Sequence, residues 1–477
     1  MIEVTVFTVY FLLVFLIGWL SLRATRTESD YWIAGGNLNW LIGGATMSAT
    51  HASAGTFIGT IGVIYSLGWT FGWVVLVIPL AYWFMVAFLA PRFTRMRQLT
   101  LPSFMESRYY SKSARAVAAV IILIATVVYI QAQIVAGGLV ANIIFGLDTQ
   151  TGMLLFTAFL LVYTVIGGML AVVYTDFIQL VVMVAGALVA VPLAVSRLDG
   201  WQNMLTLVEA VKPDVFQWGS VPAPFLLTLG LAFFLGSVAT PEKVTRLYAM
   251  KDMRTIRRGI LFTMIIVTVM NLLVFILGLT SIVLFPGLPN GDLAMPMVAK
   301  ALLPPFVGSV LLAAVTSAMM STVDSLLLVA GSAISEDIYY TLVNPRASRK
   351  KRLQVARIGI IVVGIVPLGL ILSGIGEGKL IQFIVVLFSA LMAAGFFIPV
   401  VGGVWWKRAT KEGAIAAMVG GVTITMLWKA LGPEAIDPVL PGFLASALLW
   451  VVVSRFTPAP PAEALEGYFQ QKQEQDA

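Results

Sequence analysis

The 477 residues contain no cysteine, which excludes disulfides and thiolate metal sites. Histidine occurs once, at His51, so a histidine-rich zinc or haem centre is excluded as well. Charge is also scarce. Only 11% of the chain is Asp, Glu, Lys or Arg, against about 25% in soluble domains. The missing polarity is replaced by a hydrophobic content of 59%. A water-soluble fold of this length has no means of hiding that much apolar surface. The solvent for most of the chain is therefore lipid, and the fold class is all-α integral membrane. No grouping of nucleophile, base and orienting residue stands out, so an enzyme is not expected. Nothing calls for a nucleic acid or an obligate protein partner.

A helix needs about 20 apolar residues to cross the hydrocarbon core. That window finds 13 candidate spans: 4–22, 40–65, 69–90, 114–144, 151–168, 170–195, 224–246, 260–284, 307–335, 355–373, 380–406, 414–431 and 438–455. The first follows Glu3 and lacks a basic leader, so it reads as a retained helix rather than a signal peptide. The Pro-, Glu- and Gln-rich tail from 457 to 477 reads as disordered.

Charge asymmetry orients the spans. With the N-terminus outside and the C-terminus cytoplasmic, 25 of the 30 Lys and Arg residues fall on the cytoplasmic side. They include Arg92, Arg95, Arg97 and the cluster from Arg346 to Arg352, and leave only Arg197, Lys212, Lys300, Lys379 and Lys429 outside. This is the positive-inside bias of a multi-pass plasma (inner) membrane protein.

Two spans are not plain hydrophobic rods. The second is crowded with Gly, Ser and Thr from Gly43 to Thr60, and the seventh carries Gly230, Gly236, Ser237, Thr240 and Pro241. Such stretches are weak helix formers, and a break frees backbone carbonyls. Within a membrane, freed carbonyls survive only where they line a cavity or bind something. The blander alternative is close helix packing through small residues. The two interrupted spans lie five segments apart, as in paired broken helices of a transporter repeat.

Buried charges cost about 2.5–3.5 kcal/mol each on insertion scales, so each needs a role. Asp176 lies early in the sixth span and Asp324 in the middle of the ninth. Around Asp324, the hydroxyls of Ser317, Ser321, Thr322 and Ser325 recur at helical spacing. Together with freed carbonyls they offer oxygen ligands for a hard monovalent cation. Alternatively they bond back to their own helix, and Asp176 caps a helix or reaches the interface. His51, inside the interrupted second span, opens a rival route of proton coupling together with Asp324.

The stretch Gly167-Gly168-Met-Leu-Ala-Val-Val-Tyr-Thr-Asp176-Phe-Ile-Gln179, the run from Ala313 through Ser321, Thr322, Glu336 and Asp337, and Ser53-Ala54 followed by Phe57-Ile58-Gly59 together resemble the sodium:solute symporter family. The chain looks most similar to its proline and pantothenate permease branch. The resemblance implies a leucine-transporter-like fold of two inverted five-helix repeats, about 40–195 and 224–406, with one extra N-terminal and two extra C-terminal helices. The corresponding divisions are 1–39 (helix and cytoplasmic loop), 40–223 and 224–413 (the repeats), 414–456 (two helices) and 457–477 (tail).

It further implies a sodium site of the Ala49, Ala52 and Ala318 carbonyls with the Ser321 and Thr322 hydroxyls. Asp176 matches an acid on the sodium path or at a second sodium, and Ser317, Asp324 and Ser325 are grouped with it. The substrate pocket resembles Tyr129, Phe233, Ser237 and Pro241, to which Thr50, His51, Ser53, Thr56, Gln131 and Gln133 are added as candidate contacts. Proline permeases carry aspartate at the position of His51, and tryptophan and tyrosine at those of Phe233 and Ser237. Sugar-transporting members carry Glu-Gln where Gly55 and Thr56 stand, which disfavours sugar. The expected function is sodium-coupled symport of an amino acid or small carboxylate by alternating access. The rivals are proton coupling, a channel or sensor, and a membrane enzyme.

Overall fold

The computed structural model describes residues 2–22, 28–96, 98–219, 221–375, 379–462 and 465. Arg23, Arg26, Arg97 and most of the tail expected to be disordered lie outside them. Among the described residues the protein is helical throughout, apart from one isolated bridge between Leu38 and Met250.

Eleven described helices are long and apolar enough to cross a membrane: Ile2–Ser21, Trp69–Thr94, Lys112–Phe145, Gly168–Ser196, Ala223–Ala249, Met253–Leu284, Pro305–Val343, Arg349–Leu372, Ile381–Gly402, Lys411–Leu431 and Val439–Phe456. The remaining two of the thirteen expected spans, the second and the fifth, correspond to shorter apolar helices at Gly55–Leu67 and Thr149–Val162. Both shortfalls have a local cause. The second span is interrupted after His51. The fifth is cut off from the sixth at Gly168, whose φ of 68° and ψ of 177° break the long helix Thr149–Ser196. A side chain at this left-handed position would be strained, and its Cβ would lie 2.8 Å from the Tyr31 ring.

Three short elements lie outside the expected spans: Leu101–Tyr109, Trp201–Val211 and the segment Gly291–Leu302. Each is too short or too polar to register in a 20-residue apolar window. Leu101–Tyr109 is set by a reciprocal cap, in which Ser103 N–H donates to Thr100 Oγ1 and Thr100 N–H to Ser103 Oγ.

The helix Pro305–Ser332 runs through the centre of the protein, with every residue from Leu311 to Ser332 buried. It packs against Thr149–Ser196, Lys112–Phe145, Trp40–His51 and Ile2–Leu22. Its hydroxyls therefore face protein and not lipid, which makes a polar central helix tolerable. Trp40–His51 crosses Met253–Leu284 so closely that a Cβ on Gly44 would sit 2.6 Å from the Gly259 carbonyl oxygen.

Overpacking that crossing should be costly. Gly44→Val is expected to lose about 1–3 kcal/mol of stability, read as a lowered melting temperature of the purified protein. Gly369→Ala, at a position with nothing within 4 Å of the new carbon, should leave melting unchanged.

Candidate functional site

The backbone of Trp40–His51 turns out of the helix at Ala52 (φ −70°, ψ 124°). In an unbroken helix the amides of Ser53, Ala54 and Thr56 would bond to the carbonyls of Ala49, Thr50 and Ala52. All three are diverted. Ser53 N–H donates to Thr56 Oγ1 at 3.3 Å, Ala54 N–H to Gln133 Oε1 at 2.9 Å, and Thr56 N–H to the Ser53 carbonyl at 3.0 Å. The carbonyls of Ala49, Thr50 and Ala52 are thereby released from their helical donors.

The central helix meets them. Ser321 Oγ donates to the Ala49 carbonyl at 2.9 Å and lies 3.2 Å from that of Ala318. Thr322 Oγ1 is 2.9 Å from the Ala52 carbonyl, 3.0 Å from that of Ala318 and 3.4 Å from that of Thr50. A hard cation with oxygens at about 2.3–2.6 Å holds neighbouring ligands about 3–3.5 Å apart. The hydroxyl-to-carbonyl distances among these six oxygens, 2.9–3.4 Å, are close to that spacing, and rotating two hydroxyl protons outward would expose their lone pairs. The set is neutral, so a monovalent ion would be held by dipoles. Among the described residues no cluster of His, Asp and Glu suits a multivalent metal.

Beside this cluster lies a cavity with about 680 Å³ between its lining atoms, solvent-open space included. Thr50, His51, Ser53, Thr56, Tyr129, Phe233 and Ser237 line it, whereas Gln131, Gln133 and Pro241 do not. Pro241 instead opens the helix Pro241–Ala249, following Ala239 and Thr240, where the seventh span is interrupted. Tyr129 stacks on Phe388 with ring centres 4.4 Å apart, and His51 meets Tyr82 edge-on at 5.8 Å.

A family model for the sodium:solute symporter family matches residues 31–421. The chain belongs to the sodium:solute symporter family. It is 28% identical over 470 residues to the osmoregulated proline transporter OpuE of Bacillus subtilis, covering 95% of this chain and 94% of that one. It is also 28% identical over 458 residues to the high-affinity proline transporter PutP of the same organism, covering 93% and 96%. The fold is similar to that of a Na⁺-coupled sialic acid symporter solved in a substrate-bound outward-open state (TM-score 0.84, 20% identity, 96% and 98% covered). It also resembles MhsT in complex with L-phenylalanine (TM-score 0.57, 14% identity, 86% and 97% covered). The family is one of multi-pass membrane transporters, not of enzymes.

The second group of candidate residues divides. Asp176 is fully buried and does not reach the interface. It accepts from Thr46 Oγ1 at 2.5 Å and pairs with Arg246 at 3.1 Å. Arg246 also donates to Ser325 Oγ at 2.5 Å and to Thr46 Oγ1 at 3.0 Å, so Asp176 and Ser325 share one guanidinium. Asp324 instead accepts from Thr164 Oγ1, and Ser317 bonds back to the Ala313 carbonyl at 2.8 Å.

Arg246, Glu242 and Lys243 are not among the site residues that the sequence singles out. They are 1%, 4% and 6% exposed. The cost of placing a charge in hydrocarbon, which singles out Asp176 and Asp324, applies equally to these three residues at the end of an expected span.

Asp292 fastens the segment between the spans Met253–Leu284 and Pro305–Val343. Its Oδ2 accepts from Ile381 N–H at 2.8 Å, and its Oδ1 lies 2.7 Å from where a Gly62 side chain would begin. Burial pushes its carboxyl up to about 7, opposed by that backbone donor.

Two outcomes follow from these buried groups. Removing Arg246 alone (Arg246→Met) should cost about 3–5 kcal/mol by stranding Asp176, and Arg246→Met with Asp176→Asn should recover part of that in thermal unfolding. A folded-state carboxyl raised above its unfolded value of about 4 favours the native state when protonated. The Asp292 contribution is therefore present below about pH 4 and lost as pH rises to about 7, and Asp292→Asn should flatten that slope in a melting-versus-pH series.

Proposed function

We propose that this chain is a sodium-coupled symporter importing a small organic solute, an amino acid or small carboxylate such as proline or pantothenate, by alternating access. The observation that carries the reading is the spacing of the Ala49, Ala52, Ala318, Ser321 and Thr322 oxygens, 2.9–3.2 Å across the hydroxyl contacts. Three of these oxygens are on the central helix and two on the interrupted one, so an ion among them favours the conformer in which the two stretches meet. The same interrupted stretch supplies Thr50, His51, Ser53 and Thr56 to the cavity. Sodium and solute then stabilise one conformer, which is the condition for coupling. The relatives named as proline transporters support an amino-acid-like solute.

In this reading the repeats are the inverted halves 40–223 and 224–413, thirteen spans put the N-terminus outside and the C-terminus in the cytoplasm, and Asp176 with Ser325 lies on the ion path. Proton coupling through Asp324 and His51 is the second reading. His51 faces the cavity while Asp324 engages Thr164, on different elements, which favours sodium.

Ser321→Ala and Thr322→Ala should each raise the sodium concentration for half-maximal uptake by about tenfold or more, since a contact to a charge is worth about 1.5–3 kcal/mol. Proteoliposome uptake across a sodium series measures it. Unchanged sodium dependence in both variants would remove the site, and full uptake from sodium-free buffer under a pH gradient would establish the proton reading.

A further inference from the structure

Within the proposed symporter, the cavity carries two charges with no assigned role. Glu242 and Lys243 are consecutive residues in the first turn of Pro241–Ala249, and both line the cavity. They are 4% and 6% exposed, so each charge is withdrawn from bulk solvent. Glu242 Oε2 is buried without a hydrogen-bond partner, and among the described residues Lys243 has neither a hydrogen bond nor an ion pair. The Lys243 ammonium lies 5.5 Å from the centre of the Tyr82 ring and within electrostatic reach of Glu242 and His51. Consecutive helical residues project about 100° apart, and no contact within ion-pair distance joins these two among the described residues. The neighbouring Arg246, by contrast, is fully engaged by Asp176, Ser325 and Thr46.

Glu242 and Lys243 attract each other at a distance but share no hydrogen bond, and charges in a low-dielectric interior without a directly bonded partner are costly unless one arrives. A carboxylate solute would satisfy Lys243 and leave Glu242 stranded, and a cationic solute would do the reverse. Only a ligand bearing both charges on one small frame answers both.

We propose that Glu242 and Lys243 form the charge-selective part of the solute site, with Lys243 Nζ receiving the carboxylate and Glu242 the ammonium of a zwitterionic amino acid. This rests on the symporter reading and narrows it, since a simple carboxylate is then a poor ligand. The Tyr129–Phe388 stack and Phe233 would face the apolar part of the solute. Pro241, absent from the lining, sets the start of the helix that presents the two charges.

The test uses the full-length purified protein and ligand-induced thermal stabilisation, with and without sodium. The twenty α-amino acids are screened, and the tightest is compared with its carboxamide, which lacks the anion, and its deaminated carboxylate, which lacks the cation. Both analogues should bind at least tenfold more weakly than the amino acid. Lys243→Gln should weaken the amino acid about tenfold or more and leave the carboxamide unaffected. Glu242→Gln should weaken the amino acid and leave the deaminated carboxylate unaffected.

A purely structural role would weaken all three ligands together and would overturn the assignment. So would an analogue that binds the wild type as well as the amino acid does, or a screen with no amino-acid response. The wild-type comparison needs no variant to fold. Amino-acid binding indifferent to sodium would instead count against sodium coupling and leave the charge assignment standing.

Discussion

In hydrocarbon a backbone carbonyl without a donor is a liability of several kcal/mol, and the arrangement around Ala52 depends on managing that liability. Three amides leave their helical acceptors and find others, of which Thr56 Oγ1 and Gln133 Oε1 are side chains. The amides stay satisfied while the carbonyls of Ala49, Thr50 and Ala52 turn to the central helix. Gln133 thus acts as a substitute carbonyl, 79 residues away in sequence from the amide it receives. Without such substitutes the unwound stretch would leave buried N–H groups unpaired, and a continuous helix would be the lower-energy state.

The second interruption obeys the same logic with a different device. Proline at the start of Pro241–Ala249 has no amide to satisfy, so the chain restarts a helix in mid-protein without an orphan donor at that position. That restart places Glu242 and Lys243 toward the cavity and Arg246, one turn on, toward Asp176 and Ser325. The Ser325 hydroxyl also donates to the Ser321 carbonyl at 2.7 Å. A chain of contacts therefore links the Ser321 oxygen cluster to the Arg246–Asp176 pair, and displacement of either stretch would be felt by the other.

Much of this was legible from residue types. The Gly-, Ser- and Thr-rich run around His51 marked a weak helix, and Ser317, Ser321, Thr322 and Ser325 announced a polar face by their spacing. Those residues then separate in the structure: Ser317 bonds back to its own helix, Ser321 and Thr322 meet the freed carbonyls, and Ser325 joins Arg246. Helical spacing establishes which residues share a face, but not which neighbouring element each will meet. Gln133 is expected as a substrate contact, yet its partner is the backbone amide of Ala54, which no pattern in the chain reveals.

Composition and periodicity alone determined the lipid environment, the all-helical class and the two stretches where helix would fail, because these follow from local propensity and from the cost of polar groups in hydrocarbon. The tertiary structure decided the partners: Asp176 with Arg246, Ala54 with Gln133, and Ser321 with Ala49. Each pair joins segments at least 70 residues apart in the chain. Such pairings are set by how the helices pack in three dimensions, a quantity that no window along one chain contains.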